Sequence, residues 1–564
     1  MFSGIVKITD LDDYITPSQN CIKPLLDKNS TNKENTNKEN KKNKLVIEND
    51  NIDNVFDKTL NNISSEINNI IPQEPDLIKV KDDTKNKAAK VNLYDCLACS
   101  GCVTTAETIL IEQHSIEELL KNCFTKDENK QILITISPQT VLSLSRSYDI
   151  DKIDCLQRLI KVFSLINIDY VINYQLGVEL SLDASYTEFN NNVLLKKNKS
   201  FLLSSECPGW ICYAEKKTGE WIEPYLSSIK SPQQIIGHLG KLGIHEFNKL
   251  NKLNINNIYH CVIMPCFDKK LESTRHENMV YLDNVKTKEV DNVISTLELE
   301  ELFKKINYDF KNNCNTINKN NNSNEFKKEI NINNIHKCIY INLEKLFTLI
   351  NTECNISKED IIEHNYNQFF AVDNNISSNG YAEYILERYL ENIEDQDNNI
   401  EILRKNIRNS DFKELILYDN KNKTYILKLA LVYGFRNIQN LLRKKDKHGY
   451  NYIEIMACPG GCLNGGAQYK TKSNNETSRD VLKDLENIAL ISSNQETSIK
   501  NNSTILKNSK NMKDYNIKLL LNKIYKTISF NSNNNNSEAN NSWDLLFKTN
   551  FKTIKDNNLS QLKW

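Results

Sequence analysis

The chain contains 564 residues, enough for three to four domains of about 150 residues each. Its 72 basic and 73 acidic side chains leave a formal net charge of −1. This balance argues against a nucleic-acid-binding protein that relies on overall basic charge, and against an acidic solvating tail. The sequence has no run of about 18 apolar residues that could span a membrane, and its N-terminal residues lack the pattern of a secretory signal. We therefore expect a cytoplasmic protein that binds neither nucleic acid nor a membrane.

The segments outside three Asn-rich stretches consist of repeated strand-then-helix units. Apolar runs predict strands at 132–136, 169–176, 200–205, 258–264, 291–297, 424–432 and 452–456. Helices are expected after the first run, at SPQTVLSLSRSY, and after the sixth, at YGFRNIQNLLRKK. Alternating strands and helices predict an α/β fold with a mostly parallel, twisted sheet. The Asn-rich stretches, at 26–62, 311–334 and 472–545, are predicted to be unstructured because they contain few side chains that could form a core.

Cysteine is the most informative residue type in this chain. Fifteen cysteines are too few for a disulfide scaffold, which needs about 8–10% Cys, and clustered cysteines in a reducing compartment are more often metal ligands. Four of them directly follow predicted strands: Cys207, Cys266, Cys458 and Cys462. Ligand sites of open α/β sheets lie at the carboxyl ends of the strands, so these thiols are expected to converge. The alternative, that they pack as small apolar side chains, does not account for the Gly and Pro residues concentrated around them.

A second cysteine group has the spacing of a ferredoxin loop. Cys96, Cys99 and Cys102 form a C-x2-C-x2-C run that is typical of iron–sulfur binding. A [4Fe–4S] cluster needs a fourth ligand, for which Cys21 is the first candidate and Cys123 the alternative. Zinc is the other metal to consider, although zinc sites usually pair two C-x2–4-C units.

These motifs resemble a known protein family. The segments SSECPGW (204–210), MPCFDKKLE (264–272) and MACPGGCLNGGAQ (456–468) resemble the three cluster-binding signatures of iron-only hydrogenases. ITDLDDYITPSQNCIKP, YDCLACSGCVTTAE, KSPQQIIG and YGFRNIQN are similar to the non-hydrogenase relatives, the Nar-type cytosolic iron–sulfur protein assembly factors. The resemblance covers residues 1–25, about 85–300 and about 335–470.

The resemblance implies an α/β, iron-only hydrogenase-like fold. It would have two lobes of mostly parallel sheet flanked by helices, a small N-terminal cluster-binding region and Asn-rich disordered inserts. The division expected along the chain is an arm at 1–25, an insert at 26–84, a ferredoxin-like loop at 85–125, a first lobe at 126–310, an insert at 311–334, a second lobe at 335–471 and a mostly disordered tail at 472–564.

The resemblance also implies two [4Fe–4S] clusters as cofactors. The first would be held by Cys21, Cys96, Cys99 and Cys102, and the second by Cys207, Cys266, Cys458 and Cys462. The family's role is the maturation of cytosolic and nuclear iron–sulfur proteins. The partners it implies are early scaffold ATPases, the WD-repeat subunit of the cytosolic targeting complex and apo iron–sulfur client proteins. The expected location is the cytoplasm, with the nucleus as a second location.

Three departures from the hydrogenase pattern predict that this chain does not turn over hydrogen. Glu206 stands where hydrogenases carry a proton-relaying cysteine, and Ala467 and the missing following Pro change the third signature. Lys269, in contrast, matches the lysine that contacts the hydrogenase di-iron unit, so an iron-only hydrogenase or other redox enzyme is the alternative function. A zinc-stabilised interaction protein is a third hypothesis.

The C-terminal residue adds a prediction about partner binding. Trp564 ends the chain after Leu562 and Lys563. This ending resembles the C-terminal Leu-acid-Trp/Phe peptide that docks on the targeting complex, although Lys563 replaces the acidic residue. The alternative is a chance aromatic residue at a frayed end.

Overall fold

The structure is a computed structural model. It describes residues 105–195, 199–255, 257–283, 285–315, 338–341, 369–370, 376–392, 400–407, 409–470, 476–490, 544 and 546–551, all of which belong to one compact unit. The predictions for Cys21, Cys96, Cys99, Cys102 and Trp564 lie outside these residues. Within the same ranges, no helix has both the length and the apolar character needed to cross a bilayer.

The first sheet consists of β1 (Lys130–Ile136), β2 (Tyr170–Asn173), β4 (Asn257–Met264), β7 (Asn292–Ser295) and β10 (Ile339–Ile341). It is entirely parallel and has the strand order β10-β2-β1-β4-β7. Its central strands are buried on both faces, as expected for a parallel sheet covered by helices.

The second sheet consists of β3 (Leu202–Ser204), β11 (Ile400–Asn406), β12 (Phe412–Asp419), β13 (Thr424–Tyr433) and β14 (Tyr452–Met456). It is mixed and has the strand order β11-β12-β13-β14-β3. Strands β11, β12 and β13 pair antiparallel, whereas β13, β14 and β3 pair parallel. Two small hairpins complete the described strands: β5 (Met279–Leu282) with β6 (Val285–Lys288), and β8 (Tyr308–Asp309) with β9 (Cys314–Asn315).

Helices connect the strands, and several begin at the capping signals of the sequence. Ser137 and Asp151 cap two of them by accepting hydrogen bonds from first-turn N–H groups. The described α-helices are α1 (Thr105–Gln113), α2 (Ile116–Phe124), α3 (Pro138–Tyr148), α4 (Lys152–Leu165), α5 (Gln175–Phe189), α6 (Pro208–Lys217), α7 (Pro232–Leu250), α8 (Asp268–Ser273), α9 (Glu298–Lys305), α10 (Tyr381–Glu391), α11 (Phe435–Leu442) and α12 (Ser478–Leu490).

The α/β expectation is confirmed, and each of the seven predicted apolar runs contains a strand. The antiparallel strands β11 and β12 lie outside the seven predicted runs. Strand β11 is mostly exposed and has no apolar run that would predict it. The two sheets also exchange strands: β3, from the segment 126–310, lies in the second sheet, and β10, from the segment 335–471, lies in the first. Each sheet therefore draws on both segments.

Parts of the predicted Asn-rich stretches are ordered. Helix α12 lies within the stretch 472–545, where its residues Val481 and Leu485 stand four apart and are both buried. This spacing places both side chains on one face of a helix, which gives the segment an apolar side to pack. Leu546 and Phe547, in the predicted tail, are also buried in the main core.

Candidate metal centre

The four strand-end thiols come together between the two sheets. Cys207 follows β3 and Cys458 follows β14, its neighbour in the second sheet, whereas Cys266 follows β4 of the first sheet. Cys462 lies in the short 3-10 helix Gly461–Asn464. All six pairs among these thiols interact electrostatically, so the structure brings the predicted second ligand set into one place.

Burial and mutual proximity disfavour free thiolates at this place. Cys207 and Cys266 are buried, and Cys458 and Cys462 are half-buried. Desolvation, reinforced by the charge of Cys458, raises the pKa of Cys207 to about 12. Desolvation, reinforced by the charge of Asp268 at Cys266 and of Glu206 at Cys462, raises the pKa values of both thiols well above that of a free thiol. Four thiolates can be held here only if a cationic group compensates their charge, as a bound metal centre does.

Cys207 also caps the N-terminus of helix α6. Pro208 occupies the first turn, and the N–H groups of Trp210 and Ile211 donate to the Cys207 carbonyl at 3.1 and 3.2 Å. The Cys207 N–H donates to Ser205 Oγ at 3.0 Å. The positive end of the helix dipole therefore lies at Cys207, where it favours a thiolate over a neutral thiol.

Glycine is required in the loop that carries Cys458 and Cys462. Gly460 and Gly461 have φ angles of 72° and 71°, a conformation that side-chain-bearing residues rarely adopt. A Cβ on Gly461 would collide with Ser377, and one on Gly465 would collide with the Pro265 carbonyl oxygen. The loop thus approaches two other backbone segments more closely than a residue with a Cβ atom at Gly461 or Gly465 would allow.

The segment 376–380 supports the cysteine loop, although no motif in the sequence marks it for this role. The Cys462 N–H donates to the Ser377 carbonyl at 2.7 Å, and Ser377 Oγ donates to the Gly460 carbonyl. Asn379 and Gly380 at the end of the segment have φ angles of 60° and 69°. The available signal was the Asn-Gly pair, which marks a turn, but a turn signal does not show which distant loop the turn will support.

A network of buried polar side chains lies next to Cys462. The carboxyl group of Glu206 accepts a hydrogen bond from Asn379 Nδ2 at 2.8 Å, and its Oε1 lies 3.9 Å from Cys462 Sγ. Burial raises the pKa of Glu206 to about 7. Lys269 Nζ donates to the Glu206 carbonyl at 2.7 Å and forms an ion pair with Glu272 at 2.9 Å. Burial alone would lower the pKa of Lys269, but the carboxylates of Glu272 and Glu206 outweigh it and raise the pKa.

The all-sulfur donor set fits an iron–sulfur cluster. Within the described ranges, no three His, Cys, Asp or Glu side chains are gathered as ligands of a single metal ion. Ligands of one zinc lie about 2.3 Å from it, whereas the thiolates of a [4Fe–4S] cluster bind separate irons and stand further apart. The four thiols thus offer the kind of donor that iron–sulfur clusters use.

The remaining cysteines in the described ranges behave differently. Cys261, within β4, is fully buried, and Cys212 packs against Tyr213 and Phe435, as expected for core residues. Cys123, the alternative fourth ligand of the first cluster, is buried among apolar side chains of the core around β1. Desolvation raises its pKa to about 12, which favours a neutral thiol.

The helix that follows the N-terminal cysteine run lies close to the second site. Helix α1 begins three residues after Cys102 and contacts α8, which begins two residues after Cys266. Ile111 of α1 is buried against Phe267 and Leu271. Helix α1 is therefore held against the element that follows Cys266, a ligand candidate of the second site.

Comparison with known proteins assigns the family. A family model described as the iron-only hydrogenase large subunit, C-terminal domain, matches residues 130–466. This match covers more than half of the chain and includes all four strand-end thiols. The chain belongs to the iron-only hydrogenase-like family.

Curated relatives define the branch of this family. The cytosolic Fe-S cluster assembly factor narfl of Xenopus tropicalis is 34% identical over 497 residues, which cover 86% of this chain and 88% of the relative. The probable cytosolic Fe-S cluster assembly factor narfl of Dictyostelium discoideum is 34% identical over 535 residues, with the same coverage. These iron-only hydrogenase-like relatives place the chain in the Narfl type. The apo [FeFe]-hydrogenase of Chlamydomonas reinhardtii aligns with a TM-score of 0.46 at 17% identity, covering 66% of this chain and 88% of the hydrogenase.

Proposed function

We propose that this chain is a component of the cytosolic iron–sulfur protein assembly machinery and binds two [4Fe–4S] clusters. The observation that carries this proposal is the convergence of four thiols from three strand ends in a family whose Narfl-type relatives are named as assembly factors. Cys207, Cys266, Cys458 and Cys462 would hold the second cluster. When bound, such a cluster supplies either a one-electron redox centre or an iron–sulfur unit for transfer.

The chain's own residues prepare this site in three ways. The N-terminus of α6 stabilises negative charge on Cys207. The segment containing Ser377 fixes the position of Cys462 through a backbone hydrogen bond. Glu206, Asn379 and Lys269 fill the space beside Cys462 with a hydrogen-bonded polar network.

The first cluster would be held by Cys21, Cys96, Cys99 and Cys102. Support comes from the C-x2-C-x2-C spacing and from the packing on α8 of helix α1, which follows this run in the chain. Two clusters on neighbouring elements suit an adaptor that passes electrons or iron–sulfur units between early scaffold ATPases and the late targeting complex. The clients would be apo iron–sulfur proteins of the cytoplasm and nucleus.

The function is tested by iron and sulfide quantification after anaerobic purification. We expect about eight irons and a broad absorption near 400 nm, since two cubane clusters contain four irons each. Cys99→Ala and Cys458→Ala should each lose about four irons, whereas Cys314→Ala, at an exposed cysteine outside both sets, should lose none. A colourless protein with two zinc ions would replace this proposal with the zinc-stabilised interaction protein.

We also propose that the protein does not turn over hydrogen. The bulky Glu206 carboxyl lies beside Cys462 and is held there by Asn379, in the position where hydrogenases carry a free cysteine. The buried Lys269 is the feature that favours the alternative, a hydrogenase or other redox enzyme. Hydrogen evolution from reduced viologen, or infrared bands of carbonyl and cyanide ligands, would support that alternative.

Trp564 is proposed to dock the WD-repeat subunit of the targeting complex. Deleting this residue should weaken co-purification with that subunit while leaving the iron content unchanged. Equal recovery of the subunit with and without Trp564 would reject the docking role.

A further inference from the structure

A small polar cavity lies beside the second cysteine site. Its volume is about 20 Å³, which is enough for about one water molecule. Residues on both sides of Cys207 line it, so the cavity adjoins the backbone of a proposed ligand. Its polar and flanking residues include Ser205, Glu206, Pro208, Ser231, Gln234 and Asn278.

Several polar atoms in the cavity wall have no protein partner. The uncharged ones are Ser231 Oγ, both amide atoms of Gln234 and Asn278 Oδ1. The three side chains are only 5%, 1% and 2% exposed. A buried polar atom without a hydrogen bond costs about 1–3 kcal/mol, so the wall offers both donors and acceptors to a guest molecule.

Three of the four charged groups of the wall are already in ion pairs. Lys230 forms an ion pair with Glu289 at 2.6 Å, and Arg275 binds Glu215 through two hydrogen bonds of 3.1 and 2.6 Å. The third charged group, Glu272, pairs with Lys269. The fourth, Glu206, accepts from Asn379 at Oε1, but its Oε2 has no hydrogen-bond partner. The free hydrogen-bonding capacity is therefore that of neutral groups and one carboxyl oxygen, which favours a small hydrogen-bond donor such as water over an anion.

Residues 546–551, which we call the lid, cover this cavity. The lid adds a short antiparallel pairing to the segment that precedes α7. The Lys230 N–H donates to the Phe547 carbonyl at 2.7 Å, and the Thr549 N–H donates to the Ser228 carbonyl at 2.7 Å. Thr549 itself lines the cavity.

The two ends of the lid are held with different strength. Leu546 and Phe547 are each only 1% exposed and belong to the main core. Phe551 is half-buried, lines the cavity and lies over the Arg275 guanidinium at 5.4 Å. The Phe551 end has fewer buried contacts and is the part expected to open first.

We propose that this cavity binds a water-sized neutral polar molecule and that residues 546–551 are a lid that controls access from solvent to Cys207. The cavity and the lid are independent of any cluster. Only one consequence, that the lid protects a cluster bound through Cys207, rests on the proposed function.

The lid is tested by alkylation of the metal-free chain with iodoacetamide, followed by mass spectrometry of each cysteine. Phe551→Ala should raise the alkylation rate of Cys207 about tenfold, because local opening then exposes it. The half-buried Cys458 should react at an unchanged rate, and the core residue Cys155 should stay protected. Tyr425→Ala, which truncates an aromatic residue that is 60% exposed on β13, is the matched control.

Two outcomes overturn the lid. One is an equal Cys207 rate in Phe551→Ala, Tyr425→Ala and the parent chain. The other is a rise at Cys155 that parallels the rise at Cys207, which would mean that Phe551 stabilises the whole fold instead of gating one cavity. Because this readout needs no metal, its failure is distinct from a failure to find iron.

Truncations give a second measurement on the same cysteine. Deleting residues 552–564 leaves the lid in place and should not change the Cys207 rate. Deleting residues 544–564 removes the lid and should raise that rate at least as much as Phe551→Ala. The same Cys207 rate in both truncated chains would contradict the proposal.

The guest molecule is tested by Gln234→Met, which removes the amide at similar size. If the amide is hydrogen-bonded to a guest, the melting temperature should fall by about 2 °C. Gln439→Met, on the half-buried face of α11, should change it less. A melting temperature equal to or above that of the parent would show that the amide had no partner, and would overturn the occupied cavity.

Discussion

The two sheets of this protein contribute unequally to the cysteine site. The first sheet, although entirely parallel, delivers one thiol, Cys266, from the end of β4. The second sheet delivers three, because β3 and β14 are neighbours and their carboxyl ends lie side by side. The site is therefore built where the carboxyl edges of two sheets meet, and the parallel part of each sheet supplies the ligands.

A cysteine within β4 and another just after it make the same point. Cys261 lies in the strand and is fully buried among apolar residues, whereas Cys266 lies just beyond its end and interacts with three other thiols. Position relative to the strand end, and not residue type, separates a core cysteine from a candidate ligand.

The largest expected effect tests this comparison directly. Cys266→Ala should remove about four irons per chain, because it takes one thiolate from the second cluster. Cys261→Ala should keep all the iron and lower the free energy of unfolding by about 1 kcal/mol, since it leaves only a small cavity. Iron quantification and urea unfolding of both variants check the prediction, and iron loss in Cys261→Ala would contradict it.

A smaller loss is expected from a glycine in the cysteine loop. Gly461→Ala combines a φ of 71° with a collision at Ser377, so it should displace Cys462 and remove most of the iron of the second cluster. Gly449→Ala has a similar φ of 74° but open space around it. It should cost about 1–2 kcal/mol of stability for the left-handed conformation while leaving the iron content unchanged. Equal iron contents in the two variants would show that the close approach to Ser377 does not matter.

The first sheet should lose stability in acid. Burial lowers the pKa of His260 to about 3, and its Nε2 lies 2.9 Å from Thr135 Oγ1. Between pH 6.5 and pH 3 the unfolded chain binds a proton that the folded chain does not. The free energy of unfolding should therefore fall by about 1.4 kcal/mol per pH unit as the pH is lowered through this window. Replacing His260 with Gln should remove this part of the slope, which urea unfolding at pH 5 and pH 7 measures; an unchanged slope would contradict the prediction.

Helix α10, which packs against β13 and β14 of the second sheet, should show the opposite and smaller pH dependence. Burial, reinforced by the negative charge of Glu454, raises the pKa of Glu383 to about 7. Between pH 4.5 and pH 7 the folded chain keeps a proton that the unfolded chain loses, so stability falls as the pH rises through this window. Glu383→Gln should be more stable than the parent at pH 7.5 by about 3 kcal/mol, and the gain should vanish at pH 4. A gain of equal size at both pH values would mean that Gln stabilises by packing instead.

Much of the fold was predictable because its signals are local. Apolar runs such as 132–136 and 258–264 mark buried parallel strands, and the cysteines that follow them mark the carboxyl edge. The exposed strand β11 carried no such run. Helix α12 lay within an Asn-rich stretch whose overall composition hid the buried pair Val481 and Leu485.

The support of the site was less predictable because it depends on contacts distant in sequence. The Cys462 N–H meets the Ser377 carbonyl, and Glu206 meets Asn379, across 85 and 173 positions of the chain. Nothing in either local sequence specifies its distant partner.

The sequence by itself determined the chemistry of this protein: which thiols follow strand ends, where glycine permits a tight loop, and which family carries those motifs. These features follow from the residue types and from the conformations that each residue permits locally. Only the tertiary structure decided that β3 joins β14 in the second sheet, that segment 376–380 supports the cysteine loop and that residues 546–551 cover the cavity beside Cys207. Such contacts arise because the folded chain buries all its apolar surfaces at once, and many pairings of distant segments satisfy the same local pattern.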